Sequence, residues 1–342
     1  ANIPQWIDQG EYQIIARYET GERDQVIATG TIAANSRGGA TIVERGRPES
    51  GLTRSGVGYA LELQADGELG ATFAHYDTFA TGPDARSGGG EGEALNAISA
   101  REWSFADVST ATFDFLLFFN PTASDTIVQV RFYDGDLPVI RQDVTVASLR
   151  RGGLALRDMG QLAAGRQYAV TLTSSAAISA VHSRYRQDGS AWGVSAIGRA
   201  DEQIMAGIEV RPSAVSTLTL YNTHTESIQV TIETSFDVGL SQTSLITVLS
   251  RQRINLDPLA GAPAGAAVAS LRFTGLLPAE SETGEVLIAL STEDSARNDI
   301  IAGAAASAGA PVWAFGDAFL SNATAGVFEF ETLVVYNPTD AD

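Results

Sequence analysis

The chain repeats itself about three times along its 342 residues. Arg17-Tyr18-Glu19-Thr20-Gly21 returns as Arg131-Phe132-Tyr133-Asp134-Gly135, and Arg37-Gly38-Gly39 returns as Arg151-Gly152-Gly153. Residues 17 and 131 are 114 apart, as are residues 37 and 151. A period of domain size predicts an array of similar structural units, each with a core of its own. No other feature constrains the fold as strongly.

Further matches extend the repeat to both ends of the chain. The segment from Tyr59 to Tyr76 aligns without a gap with the segment from Tyr168 to Tyr185, and Asn120-Pro121-Thr122 reappears as Asn337-Pro338-Thr339 with a weaker copy at Asn222-Thr223. These matches predict four segments, at residues 1–100, 101–200, 201–303 and 304–342.

Alternating apolar and polar residues indicate strands throughout the chain. Residues 168–172, 217–221 and 228–232 alternate in this way, and turn sequences such as Asp134-Gly135-Asp136 separate the runs. Short strands with frequent turns predict an all-β fold of antiparallel sandwiches. Residues 167–173 and 177–185 are expected to be separate strands. Residues 81–92, with Ser87-Gly88-Gly89-Gly90, are expected to be a flexible insertion.

The order of motifs resembles the tandem immunoglobulin-like modules of large bacterial secreted and cell-surface proteins. Trp103-x-Phe105-x-Asp107 leads through an apolar strand to Asn120-Pro121, then to Val146-Ala147-Ser148 and Arg150-Arg151. Trp313-Ala314-Phe315-Gly316-Asp317 restates the opening, and Ala33-Ala34-Asn35-Ser36-Arg37 restates the middle turn. The resemblance implies tandem immunoglobulin-like sandwiches in a linear array, outside the cell and without catalysis.

The repeat is interrupted at both ends of the chain. Matched to the complete copy, the last segment supplies only the opening strands of a further sandwich, whereas the first copy begins past the equivalent of those strands. A sandwich without them exposes an unpaired edge. We therefore expect incomplete modules at both ends, with an assembly interface in the C-terminal segment formed by Trp313, Phe315, Phe328, Phe330, Leu333, Val334, Val335 and Tyr336.

Two explanations of the interrupted repeat stay open. In the first, the C-terminal strands of one copy complete the N-terminal module of the next, which makes a head-to-tail homopolymer: a filament, appendage or surface layer. In the second, the sequence is one period of a longer chain. An alternative function is a fragment of a giant adhesin or stalk with a glycan- or protein-binding module and a ligand on the host surface.

Composition excludes several partners. A net charge of −19 opposes nucleic-acid binding, which needs clustered positive charge, and no run of 18 apolar residues suggests a membrane span. Cysteine is absent, so disulfides contribute nothing. All 22 basic residues are arginine, which rules out lysine–asparagine crosslinks.

No residue pattern predicts an enzyme, and no cofactor is expected. His75, His182 and His224 do not recur at equivalent positions, and no thiol nucleophile or Gly-x-Ser-x-Gly motif is present. Asp134-Gly135-Asp136 and the cluster Glu293-Asp294 with Asn298-Asp299 are the candidate calcium ligands. The first of these is equally well explained as a hairpin turn.

The tryptophans divide into two groups. Trp103 and Trp313 share a repeat position, which favours a core role for both. Trp6 and Trp192 lack counterparts and are the better candidates for a glycan-stacking surface.

Overall fold

The structure is a computed structural model that describes residues 9–19, 23–33, 36, 38–42, 52–54, 57–67, 71–78, 87–94, 99–135, 140–185, 191–195, 199–279, 284–294 and 299–303. Within these residues the chain is nearly all β, in several antiparallel sheets, which confirms the predicted class. The described part contains no helix long and apolar enough to cross a membrane.

The first group of strands, unit 1, forms two small sheets. Its strands are β1 (Gln9–Tyr18), β2 (Gln25–Ala33), β3 (Tyr59–Ala65), β4 (Thr72–Thr78) and β5 (Ser87–Ala94). One sheet has the order β2-β1-β3, and the other pairs β4 with β5. Within the described residues, β3 therefore lies at one edge of the first sheet and β4 at one edge of the second.

The second group, unit 2, wraps two layers around one core. Its strands are β6 (Ala100–Ser109), β7 (Phe113–Phe119), β8 (Thr126–Tyr133), β9 (Ile140–Val146), β10 (Arg151–Ala155), β11 (Gln167–Tyr185) and β12 (Ala191–Ser195). The first half of β11 lies between β6 and β8, and its second half lies between β7 and β12. β11 thus belongs to both layers.

The third group, unit 3, repeats that arrangement. Its strands are β13 (Gln203–Glu209), β14 (Ala214–Asn222), β15 (Ile228–Phe236), β16 (Gln242–Val248), β17 (Arg253–Leu256), β18 (Val268–Thr274), β19 (Val286–Asp294) and β20 (Asp299–Gly303). The sheets have the orders β13-β18-β15-β16 and β17-β14-β19-β20. Here β18 and β19 take the places of the two halves of β11.

Two sequence-based expectations about strands are wrong. Residues 167–173 and 177–185 belong to one continuous strand, β11, because the chain passes from one layer to the other without a loop. Residues 87–94 form β5, which pairs with β4, rather than a flexible insertion. Glycine lowers strand propensity, but pairing with a neighbouring strand overrides that preference.

The alternating pattern places one apolar face of each strand in a core. The core of unit 2 includes Val128, Val130 and Phe132 from β8, all 0% exposed. Leu271 and Phe273 of β18 are likewise 0% exposed in unit 3. Intervening residues on the same strands face outward, as the period of two requires.

A buried asparagine closes the end of each complete unit. Asn120 and Asn222 are both 0% exposed and follow β7 and end β14. The Asn120 amide donates to the carbonyl oxygens of Ser124 at 2.8 Å, Val146 at 3.0 Å and Ala147 at 3.2 Å. One side chain thereby ties the end of β7 to the next turn and to the end of β9.

The same contacts recur in unit 3 almost without change. The Asn222 amide donates to Glu226 O at 2.7 Å, Val248 O at 3.0 Å and Leu249 O at 3.2 Å. The Asn-Pro-Thr motif and its weaker copy therefore mark a structural repeat of the whole strand end, even though proline is lost from the second copy.

We predict that Asn120→Ala destabilises the protein by about 3 kcal/mol, because three backbone carbonyls lose their donor and the bond to one of them, Val146 O, is buried. Denaturant unfolding followed by tryptophan fluorescence measures the change. Asn222→Ala should cost a similar amount, whereas Thr122→Ala, which removes only the half-buried hydroxyl that donates to Asn120 Oδ1 and Ser124 O, should cost about 1 kcal/mol or less. A loss below about 1 kcal/mol for both asparagine variants would show that the carbonyls do not depend on this amide.

Candidate assembly site

The core-facing side chains of β3 are only half-buried. Tyr59, Leu61 and Leu63 are each of intermediate exposure. Their sequence counterparts in unit 2, including Val170 and Leu172, are 0% and 1% exposed. Since apolar surface left in water is unfavourable, the core side of unit 1 is built for cover that the described residues do not supply.

The position of the missing cover follows from the strand order. In units 2 and 3 the counterparts of β3 have neighbours on both sides, β6 or β13 on one and β8 or β15 on the other. β3 pairs only with β1 among the described residues, and β4 only with β5. The vacant positions correspond to those of β6 and β7.

An aromatic pair supports the equivalence of unit 1 and unit 2. The rings of Tyr18 and Tyr59 meet edge to face at 6.0 Å, and those of Phe132 and Tyr168 meet edge to face at 6.1 Å. The ladders differ by two residues, since Tyr18 lies opposite Tyr59 whereas Phe132 lies opposite Val170. A shift of two keeps every side chain on its original face.

The turn that receives the buried asparagine is also formed in unit 1. The Ser36 amide donates to Ala33 O at 3.2 Å, as Arg150 donates to Ala147 O at 3.2 Å. By the 114-residue shift, Ile32 and Ala33 correspond to Val146 and Ala147. Ile32 is half-buried, however, whereas Val146 is 1% exposed.

The eight residues predicted to form the assembly interface lie outside the described residues, in the segment 313–336. Their prediction therefore stays a prediction. The described structure contributes the other side of the predicted contact, which is the half-buried core-facing side of β3.

The contact between units 2 and 3 is a packing of outer sheet faces. Ala106, Tyr133 and Ala169 of unit 2 form an apolar cluster with Tyr221 and Leu287 of unit 3. The two tyrosine rings lie 6.1 Å apart. Both sheets therefore bury apolar side chains on their outer faces as well as on their inner ones.

Two arginines from one turn of unit 3 frame this cluster. The Arg251 guanidinium lies over the Tyr133 ring at 5.0 Å, and that of Arg253 lies over the Tyr221 ring at 5.4 Å. Arg253 also donates to Ala106 O at 2.9 Å. This turn follows the buried Asn222 in the repeat.

The contact between units 1 and 2 uses the corresponding turn. Arg150 and Arg151 form ion pairs with Asp24 and Glu19, respectively. Asp24 also accepts from Arg17 at 2.6 Å. In both contacts, the arginine-bearing turn of the later unit meets the earlier unit at the C-terminal end of β1 or β8.

A buried carboxylic acid lies at the contact of units 2 and 3. Glu285 is 7% exposed, and its Oε2 has no hydrogen-bond partner in the described part of the chain. Burial raises the pKa of Glu285 to about 7, an effect that the charge of Arg199 and a hydrogen bond from Ser104 oppose and the charge of Glu102 reinforces.

A second group of buried charges lies inside unit 2. Asp114 is 1% exposed and accepts from His182 Nε2 at 2.8 Å, from Arg184 Nη2 at 2.9 Å and from the Ser109 amide at 2.7 Å. Arg184 also donates to Asp107 at 3.1 Å. Burial is the largest influence on the Asp114 carboxyl and opposes its ionisation. The bonds and charges of His182 and Arg184 together outweigh it and hold the pKa of Asp114 well below its usual range.

This buried group is structural in its geometry, because the carboxylate is surrounded by donors. The equivalent strand positions in unit 3 hold Ser216 and Thr292, whose hydroxyls meet at 2.8 Å. Sequence reasoning missed the group. The signal was an aspartate within the apolar run Phe113-Asp114-Phe115, at a core-facing position of β7.

The other sequence candidates have ordinary structural contacts where the structure describes them. Trp103 is 7% exposed and donates its indole N–H to Ala100 O and Ile178 O, which confirms its core role. His224 Nδ1 accepts from the Glu226 amide at 3.1 Å. The side chains of Trp6, His75 and Trp192, and all of Trp313, lie outside the described part.

The calcium candidates are occupied by arginine where they are described. Asp134 accepts from Arg166 at 2.9 Å, and Asp294 accepts from Arg211 at 3.4 Å. Asp136 and Asn298 lie outside the described residues, as does the side chain of Asp299. Within the described part, no group of three or more histidine or acidic side chains is arranged to hold a metal ion.

No protein-family model matches this sequence, and no curated protein matches it. The solved structure "Crystal Structure of Thermotoga maritima 1070" is similar to part of the chain, with a TM-score of 0.28 and 15% identity over 30% of this chain and 96% of that one. A similarity this low carries no argument about fold or function.

We predict that the contact between units 2 and 3 weakens as pH rises from about 4.5 to about 7. The folded state holds the Glu285 proton more tightly than the unfolded chain, whose glutamate pKa is 4.5, so stability is highest below that value and falls until the folded pKa of about 7 is passed. The full change is about 3 kcal/mol. Urea unfolding at pH 5 and pH 8 measures it.

The matched control is Glu285→Gln, which keeps the size of the side chain and removes its titration. The difference in unfolding free energy between the two proteins should change with pH, with the variant gaining relative stability at pH 8. An unchanged difference across this range would contradict the buried, high-pKa state of Glu285.

We predict that Asp114→Asn costs about 3–5 kcal/mol of stability, because the buried Arg184 keeps only Asp107 of its two counter-charges. Ser216→Ala, at the corresponding position in unit 3, breaks a bond between neutral hydroxyls and should cost only about 1 kcal/mol. Chemical denaturation of both variants at pH 7 tests the contrast. Equal losses of stability in the two variants would show that the buried charged group of unit 2 contributes no more than the neutral hydroxyl pair of unit 3.

Proposed function

We propose that the chain is a structural subunit of an extracellular filament, appendage or surface layer, built from tandem immunoglobulin-like sandwiches. Copies assemble head to tail when the C-terminal strands of one copy complete unit 1 of the next. The half-covered core face of β3 carries the proposal, since an open apolar face needs a partner. The extracellular, non-catalytic role rests on the resemblance of the repeated motifs.

The unit 2 ladder gives the proposed contact a register. Trp103 lies opposite Leu172 and Leu116 lies opposite His182. Through the sequence alignment of the repeats, Trp313 of the incoming copy then lies opposite Leu63. Leu333 lies opposite Phe73 in the same way. Added strands on both open edges would pair their backbones by β-augmentation.

Asn337 gives the proposed contact its end point. It occupies the repeat position of Asn120 and Asn222, and the receiving turn of unit 1 is already formed. Its amide would donate to Ile32 O and Ala33 O, as Asn120 donates to Val146 O and Ala147 O. This places one polar anchor at the end of an apolar strand.

The energy of the contact comes from burial. Covering each large apolar side chain contributes about 1.5–3 kcal/mol. By the alignment with β7, Leu333 and Val335 fall at core-facing positions of the donor strand and would cover Tyr59, Leu61 and Leu63 on the acceptor.

Paired cysteines test the register in a chain that has no cysteine of its own. We predict that the double variant Phe73→Cys, Leu333→Cys gives a ladder of disulfide-linked multimers on oxidation, because directly opposed residues in an antiparallel pair are close enough for a disulfide. Non-reducing electrophoresis reads the result. Single-cysteine variants are the controls and should stop at dimers.

Deletion of residues 313–342 is the companion experiment, read by electron microscopy and sedimentation. The shortened chain should remain folded in units 2 and 3 but fail to assemble. A disulfide that forms only within single chains, or a full-length chain that stays monomeric under all assembly conditions, would overturn head-to-tail complementation. Unaltered filaments from the shortened chain would do the same.

A further inference from the structure

We infer that the outer face of the β13-β18-β15-β16 sheet is the surface on which unit 1 of a second copy docks. We call it the distal face and define it by the half-buried side chains of Ile204, Glu233, Ser235 and Arg272. The inference rests on the proposed head-to-tail assembly and adds a surface that the strand contact does not include. The geometry of the two contacts inside the chain supports it.

The corresponding face of unit 2 is already an interface. Tyr133 lies opposite Ala169 across the ladder, and both are in the apolar cluster shared with unit 3. Ser235 and Ser270 lie opposite each other at the corresponding positions of unit 3. Tyr133 and Ser235 each come directly after a buried residue of the same strand. The distal face therefore continues, by one repeat, a surface that the chain uses for contact between units.

The other side of each internal contact is an arginine-bearing turn. Arg151 and Arg253 each lie 31 residues after the buried asparagine of their unit. Arg151 pairs with Glu19 and Arg253 binds Ala106 O. Arg37 is the sequence counterpart of both in unit 1. It lies outside the described residues, and the repeat alone assigns it to the proposed contact with the preceding copy.

The distal face has the composition of a contact surface rather than a second core. Arg272 bridges Glu202 at 2.9 Å and Glu233 at 3.4 Å, so its charges are paired. The adjoining β15–β16 turn exposes two large apolar side chains, Val238 at 41% and Leu240 at 85%. At the corresponding end of β8 in unit 2, Tyr133 lies under the Arg251 guanidinium of unit 3.

A second copy is the occupant that these observations favour. The three carboxylates at and beside the face, Glu202, Glu233 and Asp237, outnumber Arg272, so the net charge there is negative and complements an arginine. The repeat supplies an arginine turn at the required place. Both sides of the contact belong to this sequence and differ from each other. A heterologous interface of this kind propagates from copy to copy.

The test combines a charge on the distal face with the cysteine pair. Ser235→Arg places a cation where Glu19 and Tyr133 meet the arginine turns of the internal contacts. It should raise the critical concentration for assembly by about tenfold or more. Ser244→Arg, on the exposed edge strand β16 and facing the other side of the sheet, is the matched control and should leave the critical concentration within about threefold. Pelleting of the unoxidised proteins measures both.

Arg37→Glu in the Ser235→Arg background reverses the charge of the opposing turn and should return the critical concentration to within about threefold of the original value. Such a rescue supports the assigned contact. No effect of Ser235→Arg, or equal effects of Ser235→Arg and Ser244→Arg, overturns it. Circular dichroism of each variant checks that the sheets remain folded. If Ser235→Arg loses the folded signal, Ser235→Glu is tested in its place and should lower the critical concentration.

The cysteine pair separates this inference from the proposed function. If the disulfide ladder forms in the presence of Ser235→Arg and the critical concentration is unchanged, strand complementation is supported and docking on the distal face is contradicted. Absence of the ladder in every background rejects both. A ladder combined with a raised critical concentration and rescue by Arg37→Glu supports both.

Discussion

The hydrogen bonds of one buried asparagine organise the end of each complete unit. The amide of Asn120 reaches three carbonyl oxygens on two segments, and Asn222 does the same with distances that agree within 0.1 Å. Val146 O and Val248 O would otherwise be buried without this donor, which is costly. The arginine-bearing turn begins directly after the last residues whose carbonyls accept these bonds. The asparagine therefore also sets where one unit presents its contact residues to the next.

The two complete units fill the same backbone with different chemistry. Asp114 opposite Arg184 in unit 2 becomes Ser216 opposite Thr292 in unit 3. An isolated buried charge would be prohibitive, so the aspartate is kept only with two cationic or polar partners and a backbone donor. Two hydroxyls need only each other. The repeat thus conserves strand order and the closing asparagine, whereas its buried polar groups vary as matched sets.

Sequence patterns predicted what depends on neighbouring residues. The period of two placed Val128 and Val130 in a core, and the Asn-Pro-Thr motif marked the position of a buried amide. Long-range pairing decided the rest. β11 runs straight through both layers, and the glycine-rich β5 is a strand only because β4 lies beside it. The Asp114 group joins residues about seventy positions apart, which no local pattern records.

Packing through outer faces explains why β7 lacks the usual alternation. Phe115, Leu117 and Phe119 face outward, yet they are apolar and half-buried, as expected for a sheet covered on both sides. A string of independent sandwiches would need polar residues there. In unit 2, the outer face of the layer that contains β6 and β8 packs against unit 3, whereas the arginine-bearing turn between β9 and β10 meets unit 1. The two contacts of unit 2 therefore use two different surfaces.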